Sequence, residues 1–73
     1  MNIKEKFGNK VKTIREQKAF SIEHLANISN VDRNYISDIE KGKRNVSLEI
    51  IEKIITGLES DFSTFFNDKE FKK

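Results

Sequence analysis

The chain has 73 residues, room for one small domain that buries about 60% of its unfolded surface. It has no cysteine and one histidine, His24, which excludes disulfides, thiolate metal sites and a histidine cluster, and leaves an apolar core helped by self-association. The net charge is +2, spread as +4 over residues 1–20, −3 over 21–40, +3 over 41–44 and −2 over 45–73, so two basic clusters flank an acidic middle.

Ile3, Phe7, Val11 and Ile14 fall within about 80° of arc at helical periodicity and predict a first helix over residues 3–18. Ser21 is an N-cap candidate for a second helix from Ile22 to Ile28 that turns Leu25 and Ala26 inward. Ser29-Asn30 interrupts the pattern, and asparagine tolerates the left-handed backbone of a tight turn. Asp32 opens a third helix over 33–40, and Gly42 in the basic loop Lys41–Asn45 can end it. Ser47 caps a fourth helix to about Thr56, with Gly57 as its expected stop. Asp61 caps a last short helix carrying Phe62, Phe65 and Phe66. Residues 67–73 read as a polar tail that frays. The expectation is an all-α, compact five-helix domain over 1–66. No apolar run approaches the ~20 residues of a membrane span, and no signal segment follows Met1, so the expected location is the bacterial cytoplasm.

The stretch Ile22–Lys41 concentrates the functional information. Ala26 is small enough for two helices to cross closely, Asn30 sits where a turn asks for positive φ, and Ile36 locks the third helix onto the second. Leu25, Val31 and Ile39 fill the remaining contacts. This is the constellation of a helix-turn-helix. On a helical wheel Arg33, Asn34, Ser37, Asp38 and Lys41 share one arc opposite Ile36 and Ile39. Ordinary solvated faces are dominated by Glu and Lys; this one opens with Arg, which can bridge O6 and N7 of guanine, and Asn, which can bridge N6 and N7 of adenine.

With Phe7-Gly8, Arg15-Glu16, Ser21, Leu25-Ala26, Asp32–Ser37, Ile39-Glu40 and Gly42–Asn45 in place, residues 3–66 resemble the lambda-repressor-like (Xre) helix-turn-helix family. Val31–Ser37, Gly57-Leu58-Glu59 and Phe65-Phe66 resemble in particular its restriction–modification controller proteins. The resemblance implies a transcriptional regulator that binds a double-stranded DNA operator and activates, then represses, transcription. It assigns base edges to Arg33, Asn34, Ser37 and Asp38, and phosphates to Ser21, Tyr35, Lys43, Arg44 and Asn45. It also implies a structural salt bridge between Arg15 and Glu40, and that Asp32 orients Arg33 besides capping. Two departures stand out. Ile22 replaces the glutamine usual after the Ser21 position, and Ala19 and Asn30 stand where the family favours glycine.

The fourth helix suggests a second surface. Leu48, Ile51, Ile55 and Leu58 form a stripe that Ile50 and Ile54 widen to about 160°, more than so small a domain covers easily. The expectation is a two-fold homodimer through Ile50, Ile54, Leu58, Phe62, Phe65 and Phe66, with recognition helices about 34 Å apart on a pseudo-palindromic operator. Catalysis is not expected. His24 would have to act alone, Lys41-Gly42-Lys43 is too short for a phosphate loop, and Asp38 and Glu40 point in different directions. No cofactor, metal or small-molecule ligand is implied; RNA polymerase is a further partner if the protein activates. A prophage-type repressor and a DNA-binding antitoxin remain as alternative roles.

Overall fold

Each helix begins at a residue whose side chain satisfies a backbone N–H that the helix itself leaves open. The computed structural model describes residues 1–72; Lys73 lies outside the described residues. The helices are α1 (Ile3–Gln17), α2 (Ile22–Ser29), α3 (Arg33–Glu40), α4 (Leu48–Gly57) and α5 (Phe62–Phe66), followed by a 3₁₀ turn at Lys69–Phe71. A capping box starts α1: Asn2 Oδ1 accepts from the Glu5 N–H at 3.0 Å, and Glu5 Oε1 accepts from the Asn2 N–H at 3.0 Å. Ser21, Asp32, Ser47 and Asp61 cap the four later helices. The Thr64 backbone N–H holds the Asp61 carboxyl below the usual carboxylate range.

The first four helices all end on a residue with positive φ, and only one of these is glycine. Gly42 (φ 73) closes α3 with the paired bonds Lys43 N–H to Asp38 O and Gly42 N–H to Ile39 O. Ala19 (φ 59) and Glu59 (φ 61) close α1 and α4 by the same double bond pattern, and Asn30 (φ 57) closes α2. Glu59, not Gly57, therefore stops α4. Gly57 is the last helical residue, and its bare Cα lets α2 come close: a Cβ there would sit 3.0 Å from the Ser29 Cβ and 3.4 Å from Leu25 Cδ1.

The core comprises Phe7, Val11, Leu25, Ala26, Val31, Ile36, Ile39, Ile54, Ile55, Leu58 and Phe65. Three residues expected at a dimer interface, Ile54, Leu58 and Phe65, are completely buried within the protomer and cannot meet a partner. The reason is that α5 and α2 cover more of the wide α4 stripe than its arc suggests. Conversely Leu48 is 78% exposed and Phe62 41% exposed, while Ile50, Ile51 and Phe66 are partly covered. Ile3, at the head of the α1 stripe, is 62% exposed.

Residues 67–72, expected to fray, pack back onto the domain. Phe71 packs edge-to-face on Phe66, with ring centroids 4.9 Å apart, and also contacts Phe65. Lys10 Nζ on α1 reaches Asp68 Oδ2 at 2.8 Å, while Asp68 Oδ1 accepts from the Glu70 N–H. Lys10 first, and the Glu70 N–H second, hold the Asp68 carboxyl below its ordinary range. A tail that is polar by count is thus tied down by one aromatic ring and one ion pair. No helix among the described residues is long and apolar enough to cross a membrane.

Candidate nucleic-acid interface

Helix α3 is held from behind by α1. Gly8 lies against its backbone so closely that a Cβ would fall 2.0 Å from the Ile39 carbonyl oxygen. One helical stretch along α1, Arg15 donates from Nε to Glu40 Oε2 at 2.7 Å, from Nη2 to Glu40 Oε1 at 3.1 Å and from Nη1 to the Phe20 carbonyl at 2.8 Å. The two side chains are only 11% and 6% exposed. The hydrogen bonds to Glu40 raise the Arg15 pKa against the opposing effect of burial. This two-pronged bond joins the ends of α1 and α3, with all three guanidinium nitrogens engaged. Ile36 and Ile39, both buried, fasten the inner side of α3.

The outer side carries the candidate readers. Arg33 and Asn34 are exposed, and Tyr35, Ser37 and Asp38 are partly exposed. Asp32 spends one carboxylate oxygen on the backbone, accepting from the Asn34 N–H at 2.9 Å and the Tyr35 N–H at 3.2 Å. Asp32 does not orient Arg33. Glu23, on the first turn of α2, does: its Oε1 accepts from Arg33 Nη1 at 3.0 Å. At the other end of α3, Arg44 donates from Nε to Asp38 Oδ2 at 3.2 Å, its Nη2 lies 3.2 Å from the same oxygen, and its guanidinium lies 5.0 Å from the centre of the Tyr35 ring. The turn at Gly42 folds the basic loop back onto the helix, which is how residues six and nine apart come together.

Ser21 Oγ accepts from the His24 N–H at 2.9 Å, and among the described residues its hydroxyl donates to no other group. Lys43, Arg44 and Asn45 are exposed in the loop after α3. One outer surface therefore runs from the start of α2 through α3 to this loop, linked by the Glu23–Arg33 and Asp38–Arg44 pairs. Neither pair follows from local sequence spacing. Glu23 and Arg33 lie on different helices, and Asp38 and Arg44 are on opposite sides of a left-handed residue.

His24 sits edge-on to the Phe20 ring at 4.5 Å, a packing contact. Among the described residues no group of three His, Cys, Asp or Glu is placed to hold a metal ion.

Comparison with known proteins agrees with this geometry. The helix-turn-helix family matches residues 11–65. Control protein C.MunI of Mycoplasma sp is 49% identical over 94% of this chain and 95% of its own. Control protein C.BamHI of Bacillus amyloliquefaciens is 46% identical over 97% and 96% respectively. In three dimensions the chain is similar to the restriction–modification controller protein C.Esp1396I, in a tetramer bound to its natural 35 base-pair operator, with a TM-score of 0.91, 39% identity, and coverage of 100% of this chain and 99% of that one. Matched over nearly its full length in sequence and in three dimensions, the chain belongs to the helix-turn-helix family and, within it, to the control proteins of restriction–modification systems.

Proposed function

We propose that this protein is a sequence-specific DNA-binding transcriptional regulator that binds a pseudo-palindromic operator as a homodimer and, as a control protein, activates and then represses transcription of its own restriction–modification genes. The observation that carries this reading is the asymmetry of α3. It is clamped from behind by Gly8 and the Arg15–Glu40 bond, and it offers Arg33, Asn34, Ser37 and Asp38 outward. A helix fixed this rigidly holds its side chains in register with base edges. Ser21, Tyr35, Lys43, Arg44 and Asn45 hold phosphates on either side. The operator-bound tetramer of the similar controller protein supports operator DNA as the partner and binding by more than one copy.

Residues 1–66 act as both DNA-binding and dimerisation domain. With Ile54, Leu58 and Phe65 committed to the core, the dimer surface is carried by Phe62, Ile50 and Phe66, the apolar residues of α4 and α5 named for it that keep exposure. Such a protein acts in the cytoplasm on the bacterial nucleoid, and activation brings RNA polymerase in as a further partner.

Footprinting on the DNA upstream of the protein's own gene tests the reading. Protection of two half-sites about one helical turn apart is expected; protection indistinguishable from that of random DNA overturns it. In anisotropy titrations, Lys43→Ala or Arg44→Ala flattens the salt dependence of affinity by about one unit of log–log slope.

A further inference from the structure

The acidic stretch 21–40 holds four carboxylates, and each has its own partner. Glu40 holds Arg15 in the interior and Asp32 caps α3. The two that face outward, Glu23 and Asp38, each hold one of the arginines of the outer surface. Glu23 is the less expected of these. It comes from a different helix, its side chain is 66% exposed, and among the described residues it supplies the one side-chain hydrogen bond of Arg33.

We infer that Glu23 is a specificity-determining positioning residue, which holds Arg33 toward base edges and withholds it from phosphates. This rests on the operator-binding reading above. Glu23 engages Nη1 of Arg33, so the edge formed by Nε and Nη2 stays free to bridge a guanine while the pair persists. Fixing the arginine in advance removes rotamer freedom that would otherwise be lost on binding. On DNA that lacks the right base, Arg33 gains only by turning to the backbone, which leaves the Glu23 carboxylate facing phosphate. Charges of like sign at that range repel. Glu23 therefore weakens nonspecific binding more than it weakens operator binding.

The test compares operator DNA with a scrambled duplex of the same length. Glu23→Gln keeps the size of the side chain and removes its charge. The ratio of operator to nonspecific affinity is expected to fall about three- to fivefold, the scale of an exposed ion pair, mainly through tighter nonspecific binding. In an Arg33→Ala background the same substitution is expected to leave the ratio unchanged, because the arginine it positions is gone. Equal tightening on both duplexes, or the same fall in ratio without Arg33, overturns the inference while leaving operator binding intact. Wild-type protein that fails to distinguish the two duplexes overturns the functional reading itself.

Discussion

Two of the arginine–carboxylate contacts of helix α3 are of contrasting kind, one on its inner side and one on its outer side. Arg15–Glu40 is almost fully buried, bonded through two prongs and joined to a backbone carbonyl. Glu23–Arg33 touches through one nitrogen, with both side chains more than half exposed. The chemistry of the partners is the same, and burial decides what it does. In the interior each charge depends on the other, because a lone ion there loses its hydration without replacement. At the surface water competes, so the pair is worth little and can be exchanged for a ligand. The first fixes α3 and the second leaves its arginine available.

The sharpest way to break this contrast is to remove one partner from each pair. Glu40→Ala strands the Arg15 guanidinium and should lower stability by about 3–5 kcal/mol, read as a loss of denaturation midpoint at constant slope. A loss below about 1 kcal/mol would show that the buried pair is as dispensable as the exposed one. Gly8→Ala attacks the same brace sterically. The new Cβ overlaps the Ile39 carbonyl, so α1 and α3 must separate, at about 3 kcal/mol. Arg33→Ala, on the outer side, should leave stability within about 0.5 kcal/mol while weakening operator binding by about 1–3 kcal/mol. A comparable loss on nonspecific DNA would make Arg33 a phosphate contact. The smallest effect concerns the turn between α1 and α2. Ala19 follows α1 with φ 59, a conformation that glycine adopts without a Cβ penalty. Ala19→Gly should therefore stabilise the fold by about 0.5–1 kcal/mol in thermal or chemical denaturation, with DNA affinity unchanged.

Much of the architecture could be read locally. Periodicity located the helices to within a residue or two, because an amphipathic stripe and a capping hydroxyl are short-range features. The places where reading failed are those where a distant element intervenes. The α4 stripe looked too wide for one domain, yet Ile54 and Leu58 are fully covered once α5 and α2 pack against it. Gly57 looked like a helix stop because glycine often is one; its position is explained by the nearness of Ser29 on α2. The tail looked mobile on composition, and a single Phe71 with Asp68 anchors it.

The candidate site divides in the same way. Arg33, Asn34, Ser37 and Asp38 share an arc because a helix of 3.6 residues per turn places them there, and Ala26, Asn30 and Ile36 mark the turn between the two helices. The resemblance pairs Arg15 with Glu40, and the structure bears that pair out; which carboxylates Arg33 and Arg44 take was decided only by the tertiary structure. Glu23 reaches Arg33 across ten residues, Glu40 reaches Arg15 across 25, and Asp38 meets Arg44 through the reversal at Gly42. A net charge of +2 with an acidic middle could mean many things. Once folded, its four carboxylates are a cap, a buried tie and two outward partners for arginine. Sequence alone determines which residues a helix displays, since that follows from local geometry. Their partners and their burial, and hence whether a charge braces the fold or stays at the surface, depend on contacts between elements far apart in the chain.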